Sequence, residues 1–199
     1  MANVEYWFST PLWFSNIEVD NQKVEQYCKE LSKKNKGRVL SNVGGWQSND
    51  LHLRDNTDKR IKPLFTKIMN EVQSIAQEMN LLDSIKINFD TLQFWINING
   101  QEDYNQLHNH PRSFLSGVYY VKVPKNSGNV IFHHPCTLMK FWYQQYTKGI
   151  NHESHPNIFV APEVGKLIIF PSWLEHVVQP NKVKKNRISI AFNVSVREV

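Results

Sequence analysis

Three histidines in the second half of the chain have the spacing of a metal site. His108 and His110 stand one residue apart, so in an extended segment their side chains point to the same face. His176 follows much later, in the segment PSWLEHVVQP. Imidazole is a ligand that suits iron, zinc, copper and nickel. We therefore predict that His108, His110 and His176 converge on one divalent metal ion.

Arg187 and Ser189 share one face of the segment RISIAFNV, which is otherwise typical of a buried strand. A lone guanidinium in such a strand is costly unless an anion pairs with it, and its planar fork matches a carboxylate. Arg187 follows His176 by 187 − 176 = 11 residues, with a turn between them, so we expect the two strands to pair. The pattern predicts that Arg187 and Ser189 bind an anionic co-substrate beside the metal.

Two helices are expected to support these residues from the first part of the chain. Asp20 or Asn21 is suited to cap the first helix. The second helix starts at Asn56 or Thr57 and carries an apolar stripe over residues 61–79. A stripe of this kind predicts packing against one face of a sheet.

From residue 85 onward the apolar period changes to two, and turn residues separate eight strands. The predicted strands are Ile85–Phe89, Leu92–Ile98, Ser116–Val123, Asn129–Phe132, Ile158–Val160, Lys166–Phe170, His176–Gln179 and Arg187–Val196. Helices followed by strands, without βαβ alternation, predict an α+β fold whose body is a barrel or jelly roll, with two N-terminal helices packed on the sheet. We expect one domain over residues 1–199, in which the helices and an edge strand of 1–84 support a core at 85–199.

A long insertion at residues 136–157 interrupts the rhythm of the strands. Loops longer than about 12–15 residues are usually functional or disordered, and the aromatic content of this one argues against disorder. We predict a lid or a wall that faces the substrate. The candidate substrate contacts are Trp142, Tyr143, Tyr146 and, in a later segment, Trp173.

Charge, cysteine content and hydropathy bear on the binding partners and the cellular compartment of the protein. The net charge of +5 resides in short lysine runs, which are typical of solvated surface, and nucleic acid is not indicated beyond this mild basic charge. The two cysteines form no CxxC motif, which fits a reducing compartment. Neither a signal peptide nor an apolar run of the ~20 residues that span a membrane is present, so we expect a soluble cytoplasmic protein. A homodimer, and a phage origin with action in the host cytoplasm, stay open.

Five segments carry a family resemblance: SNVGGWQS (41–48), FWININ (94–99), NQLHNHPRSFLSGVYYV, PEVGKLIIFPSWLEHVVQP and NRISIAFNV. Through them the chain resembles the 2-oxoglutarate- and iron(II)-dependent oxygenases of the prolyl-hydroxylase-like branch, in particular uncharacterised oxygenases of bacteria and phages. The resemblance implies a double-stranded β-helix, a jelly-roll or cupin-like barrel. It also implies iron(II) and 2-oxoglutarate as cofactors, with O₂ and an unknown primary substrate as partners.

The resemblance also implies roles for single residues. In the family a histidine and an acid, spaced HxD or HxE, bind iron together with a distal histidine, and a later Arg with a Ser or Thr two residues on binds 2-oxoglutarate. His108, His176, Arg187 and Ser189 match these positions, and Asn97 and Tyr120 lie where the family often places further co-substrate contacts.

One position departs from the family pattern, because His110 stands where the acid is expected. Either His110 is the third ligand, or the site is incomplete, or Asp103 or another acid takes the place. The main functional hypothesis is hydroxylation of an unidentified substrate with release of succinate and CO₂. One alternative is a cupin-like three-histidine dioxygenase or isomerase that does not use 2-oxoglutarate, and another is a binding module on the same barrel.

Overall fold

The structure, a computed structural model, describes residues 9–52, 54, 58–136 and 156–199. Two antiparallel β-sheets face each other, and two α-helices pack on the outer side of the larger sheet. The helices are α1 (Asn21–Lys34) and α2 (Lys62–Glu78). In the part of the chain that is described, no helix is long and apolar enough to cross a membrane.

The two helices begin where local hydrogen bonding allows it. Asp20 caps α1, since its carboxylate accepts the N–H of Lys23 at 3.2 Å. Helix α2 begins at Lys62, later than the predicted start at Asn56 or Thr57, with proline at its first positions. Proline is tolerated there because the first N–H groups of a helix have no partner within the helix.

The larger sheet has six strands and the smaller sheet five. In spatial order, the larger sheet consists of β1 (Trp13–Asn16), β9 (Lys166–Pro171), β6 (Leu115–Lys122), β11 (Arg187–Glu198), β4 (Ile85–Asn99) and β3 (Trp46–Gln47). The smaller sheet consists of β2 (Asn42–Val43), β5 (Tyr104–His108), β10 (His176–Val178), β7 (Val130–His133) and β8 (Asn157–Val160).

Two differences from the predicted strands have local causes. Strand β4 is continuous, although two strands were expected, because an irregularity in its pairing with β11 absorbs the polar residues near Asp90. There Asn88 accepts the Asp90 N–H at 3.2 Å through its side chain and the Thr91 hydroxyl at 2.9 Å through its backbone carbonyl. Strand β5 was not predicted, because its sequence YNQLH lacks an alternating apolar pattern.

The predicted pairing of the strands that carry His176 and Arg187 is wrong. Strand β10 pairs with β5 and β7 in the smaller sheet, whereas β11 pairs with β4 and β6 in the larger sheet. The segment between them crosses from one sheet to the other and does not form a hairpin. His176 and Arg187 therefore approach the same interior from opposite walls.

The alternation of side chains along β4 separates the core from the site. Phe94, Ile96 and Ile98 belong to the apolar core beneath the helices, where the ring of Phe94 stacks on Phe65 of α2 at 3.8 Å between centroids. The residues between them face the space between the two sheets. The predicted packing of the α2 stripe against a sheet is confirmed, and the other face of that sheet is left to the site.

Candidate functional site

Three imidazoles meet in the space between the two sheets. His108 ends β5 and His176 begins β10, and the two residues are direct partners in the register of these strands. His110 lies just beyond β5, where its backbone N–H donates to the carbonyl of Ser172 at 2.8 Å. Ring nitrogens of the three histidines lie within 4.8 Å of one another. The structure thus brings the three predicted ligands into one cluster.

Hydrogen bonds to backbone carbonyls orient two of these imidazoles. Nδ1 of His108 lies 2.7 Å from the carbonyl of Gln106, and Nδ1 of His176 lies 2.9 Å from the carbonyl of Leu174. Because a carbonyl only accepts, Nδ1 carries the proton in both rings and Nε2 keeps its lone pair. Histidines that bind metals usually donate their second N–H in this way. Both rings therefore offer Nε2 as the ligand atom.

A row of side chains supports His110. The side-chain amide of Asn193 lies 3.4 Å from Nδ1 of His110, and its other end lies 2.7 Å from the Ser116 hydroxyl. Ser116 in turn lies 2.7 Å from the hydroxyl of Ser172, the residue whose carbonyl holds the His110 backbone. In the recorded arrangement Nδ2 of Asn193 donates to Nδ1 of His110, and Oδ1 of Asn193 accepts from the Ser116 hydroxyl. With the side-chain amide turned over, its oxygen would accept Nδ1–H of His110 and leave Nε2 free for a metal.

We expect Asn193→Leu to weaken binding of zinc(II) or cobalt(II) by about tenfold or more, because loss of an outer partner of a metal-binding histidine typically costs about 10–100-fold. Asn193→Asp should keep most of the affinity, since a carboxylate also accepts Nδ1–H. Titration calorimetry of the metal-free protein measures both. Asn70→Leu, on the exposed side of α2, is the control, and equal affinity in Asn193→Leu and wild type would remove this role.

Burial keeps the three imidazoles neutral. Desolvation lowers the pKa of His176 to about 3 and that of His110 to about 4, and the charge of His108 adds to both shifts. Desolvation also lowers the pKa of His108, against the hydrogen bond to Gln106. Neutral imidazoles with free lone pairs are what a divalent metal requires, so the cluster fits such an ion.

The pKa of His176 predicts how the stability of the metal-free protein depends on pH. Below its usual pKa of about 6.5 the unfolded chain takes up a proton at His176, whereas the folded protein does not until the pH approaches about 3. The free energy of unfolding should therefore fall by about 1 kcal/mol between pH 6 and pH 5 from this group alone. Urea unfolding at both pH values should show a smaller fall for His176→Leu, and an unchanged fall would contradict the prediction.

An inner cavity of about 60 Å³ lies behind the imidazoles. It is lined by side chains that face inward from both sheets, among them the predicted co-substrate residues Asn97, Tyr120, Arg187 and Ser189. Ser189 pairs with Tyr120 on one side and Asn97 on the other in the strand register, so the three form a row across the larger sheet. The structure therefore places all four residues in one cavity with the histidines.

Arg187 is the largest fully buried side chain of the described protein, 1% exposed. Its Nη1 donates to the backbone carbonyls of Ser127, Gly128 (3.3 Å) and Gln179 (3.5 Å), while its Nε has no partner among the described residues. Gly128 has a φ of +84°, and a Cβ there would lie 2.4 Å from the Gln179 carbonyl oxygen, so glycine is required for this gathering of carbonyls.

The electrostatics of the inner cavity favour an anion. Desolvation lowers the pKa of Arg187, against the electrostatic influence of Tyr120 and, to a smaller extent, of Asp103. Burial raises the pKa of Tyr120 to about 12, so its hydroxyl keeps its proton and can donate. A buried guanidinium whose described partners are all neutral carbonyls is stabilised by a carboxylate that reaches its free N–H.

An outer cavity of about 310 Å³ lies on the other side of the histidines. Most of its polar lining was not identified from the sequence: Arg38, Ser41, Gln47, Asp50, Gln93, Asn109 and Asn193. One signal was present, since Gln93, Asn97 and Asn99 alternate with apolar residues in QFWININ, as Asn193 does in the last strand. Polar residues on the same face of two central strands indicate a site on that face.

The remaining predicted residues lie elsewhere. Trp173 is 53% exposed in the turn between β9 and β10, and neither of the two described cavities includes it. Trp142, Tyr143 and Tyr146, with most of the predicted lid, lie outside the described residues. Asp103 is engaged apart from the cluster, because its carboxylate accepts the Gly100 N–H at 2.6 Å. Among the described residues, the group that can hold a metal consists of histidines alone.

A family model shows the class of protein that this fold and this site define. Residues 93–193 match the family described as "Putative 2OG-Fe(II) oxygenase", which is half of the chain. The chain therefore belongs to this family of iron(II)- and 2-oxoglutarate-dependent oxygenases, and the predicted family is confirmed. Its members are oxidoreductases that use these two cofactors. No curated protein matches the sequence.

Solved structures show the same fold. A prolyl-4-hydroxylase of Pseudomonas putida is 12% identical, with a TM-score of 0.67 over 96% of this chain and 95% of that one. A prolyl hydroxylase of Trichoplax adhaerens, in complex with a hypoxia inducible factor peptide fragment, is 14% identical, with a TM-score of 0.62 over 92% and 83%. HygX of Streptomyces hygroscopicus, with nickel and 2-oxoglutarate bound, is 11% identical, with a TM-score of 0.56 over 94% and 83%. The predicted double-stranded β-helix is confirmed.

Proposed function

We propose that the protein is an iron(II)- and 2-oxoglutarate-dependent dioxygenase that hydroxylates a substrate still to be identified, with release of succinate and CO₂. The observation that carries the proposal is the buried Arg187, which lines a cavity together with three histidines and whose Nε has no hydrogen-bond partner among the described residues. Family membership alone gives the cofactors. The inner cavity supports the proposal, because it would be the place of the co-substrate in this chain.

The three histidines would hold the metal. In the role that we propose, Nε2 of His108 and Nε2 of His176 are two ligands and His110 is the third. Iron(II) together with 2-oxoglutarate supplies the activation of O₂ that drives hydroxylation. The contribution of the protein is to hold the ligands in place and to keep the site dry, which the aromatic neighbours of the cluster assist: Phe132 and Phe170 pack at 5.8 and 4.8 Å from the ring of His176.

Arg187 and Ser189 would hold the distal carboxylate of 2-oxoglutarate. The guanidinium is already anchored through Nη1 on the backbone, so its free N–H is oriented in advance and little entropy is lost on binding. The protonated hydroxyl of Tyr120 and the amide of Asn97 complete a wall of hydrogen-bonding groups. The entire chain, residues 1–199, would act as one catalytic domain.

A second candidate is a three-histidine metal enzyme that does not use 2-oxoglutarate. The observation that favours it is His110, which replaces the carboxylate expected in a facial triad of non-haem iron. The inner cavity favours the first candidate, since the buried guanidinium of Arg187 that lines it fits the carboxylate that 2-oxoglutarate would bring.

The test is succinate formation. Protein loaded with iron(II) is incubated with 2-oxoglutarate and O₂ over a panel of amino-acid, nucleobase, lipid and small-metabolite substrates. We expect a slow background of succinate that rises with one class, and none in His176→Ala. Oxygen consumption that is independent of 2-oxoglutarate would instead favour the three-histidine alternative.

A further inference from the structure

The outer cavity shares four residues with the inner one, so a molecule in it lies next to the metal ligands. His108, His110, Ser41 and Trp95 line both cavities. Trp95 is 8% exposed, and its ring lies 5.7 Å from that of His110. A ligand in the outer cavity therefore meets an aromatic surface and the histidine cluster together, which is the position required of a primary substrate.

The described wall of the outer cavity carries no net charge. Arg38 and Asp50 are its charged side chains apart from the histidines, and they pair with each other through two hydrogen bonds, of which Nη1 to Oδ2 measures 3.0 Å. The other polar side chains are hydroxyls and amides: Ser41, Gln47, Gln93, Asn109 and Asn193. A bound acid or base would find no free counter-charge on this wall, so a neutral ligand fits it best.

Two buried polar atoms on this wall have no hydrogen-bond partner among the described residues. They are Nε of Arg38, a donor, and Oε1 of Gln47, an acceptor. Arg38 and Gln47 form an antiparallel bridge, in which the Arg38 N–H donates to the Gln47 carbonyl at 2.8 Å. Residues paired in this way project their side chains to the same side. Gln47 is 2% exposed, and leaving such atoms unpaired is costly.

We propose that the outer cavity recognises an amide group of a neutral substrate, whose C=O accepts from Arg38 Nε and whose N–H donates to Gln47 Oε1. The inference rests on the proposed function in assigning this cavity to the primary substrate. A neutral amide offers its acceptor and its donor on two different atoms, whereas a hydroxyl presents both on one oxygen.

The test uses three small probes on protein loaded with zinc(II) and 2-oxoglutarate, which do not react. N-methylacetamide represents a peptide amide, acetamide a primary carboxamide, and methyl acetate has the shape of N-methylacetamide without the N–H. Side-chain ¹⁵N NMR follows the Arg38 Nε–H, assigned by its loss in Arg38→Lys. We expect saturable chemical-shift changes with the two amides. Methyl acetate should bind at least about fivefold more weakly than N-methylacetamide. Tighter binding of N-methylacetamide identifies a peptide source, and tighter binding of acetamide a carboxamide side chain or metabolite.

Two variants and one matched control locate the contact. Arg38→Lys keeps the charge beside Asp50 but lacks Nε, and Gln47→Met keeps the volume but lacks the acceptor. Each should weaken amide binding about fivefold, followed through backbone amide resonances. Gln47→Met should leave methyl acetate unchanged, because the ester has no N–H, whereas Arg38→Lys should also weaken methyl acetate, because both kinds of probe present a C=O to Nε. The control is Arg60→Lys, because Arg60 also makes paired bonds to an acid, Asp58, at a nearly equal side-chain exposure of 26% against 27%.

Equal binding of methyl acetate and the amides, or no response at Arg38, would each overturn the amide assignment. Acetate ion is titrated in the same way as a charged counterpart, and its stronger binding would also overturn the assignment. The proposed function is tested separately, through chemical-shift changes near Ser189 when 2-oxoglutarate is added to the zinc-loaded protein. If those shifts are absent while the amides bind zinc-loaded protein at Arg38, the co-substrate assignment fails and the amide site stands. If they are present and the amides do not bind, only the amide assignment fails.

Discussion

Arg187→Ala should weaken the binding of 2-oxoglutarate by about 30-fold or more. Loss of one partner of a desolvated charge pair typically costs about 2–5 kcal/mol, and 2 kcal/mol corresponds to about 30-fold. Arg187 lines the inner cavity, is 1% exposed, and has no hydrogen-bond partner for its Nε among the described residues. Arg187→Lys should restore only part of the affinity, because an ammonium cannot make the planar fork. Titration calorimetry with protein loaded with a redox-inert metal measures all three.

Two controls separate this effect from damage to the fold. Arg187 also gathers three backbone carbonyls around Nη1, so the variants must be compared at a temperature at which circular dichroism shows each to be folded. Arg197→Ala changes an exposed arginine at the far end of the same strand and should leave the affinity unchanged. Metal affinity without 2-oxoglutarate should barely change in Arg187→Ala. Equal 2-oxoglutarate affinity in wild type and Arg187→Ala would favour the three-histidine alternative.

Periodicity in the sequence was sufficient to predict the layers of the fold. The apolar stripe of α2 and the alternation in β4 each specify a buried face, and a face of this kind has few ways to be covered. Periodicity did not predict the elements that form only through pairing between distant segments of the chain. Strands β2 and β3 have two residues each, which is too short for any period, and they exist because β5 and β4 provide partners.

The site, too, was predictable from the sequence only in part. The ligand set was predictable, because His108 and His110 share a face and because a lone arginine is conspicuous in an apolar strand. The route by which His176 reaches Arg187 was not, since an interval of eleven residues suits a hairpin and a crossover between sheets equally well. The residues that support His110 were not predictable for another reason. Asn193 and Ser116 are common polar residues, and their role depends on the pairing of β11 with β6, which places them side by side.

Removal of a predicted metal ligand should abolish most of the stabilisation that metal gives to the fold. At a free metal concentration of 100 times the dissociation constant, binding stabilises the native state by about 2.7 kcal/mol, and a 100-fold weaker site leaves about 0.4 kcal/mol. For a chain of this length that is a loss of about 5–10 °C in melting temperature. We expect this for His108→Ala and His176→Ala, which are direct partners across β5 and β10. Thermal unfolding with and without zinc(II) measures it, and His134→Ala, which lies outside the cluster, is the control.

Variants of His110 test whether this residue is the third metal ligand, because it stands where the family has an acid. If it is a ligand, His110→Ala should lose the metal-dependent stabilisation as the other two variants do. His110→Asp should keep binding with altered affinity, since a carboxylate is also a ligand but adds a negative charge and is shorter than imidazole. The visible spectrum of the cobalt(II)-loaded protein should then change between wild type and His110→Asp, because the donor atoms around the metal differ. Full metal binding in His110→Ala, together with an unchanged spectrum in His110→Asp, would show that His110 is not a ligand. The hydrogen bond between the Asn193 side chain and its ring would then serve only to pack it beside Trp95.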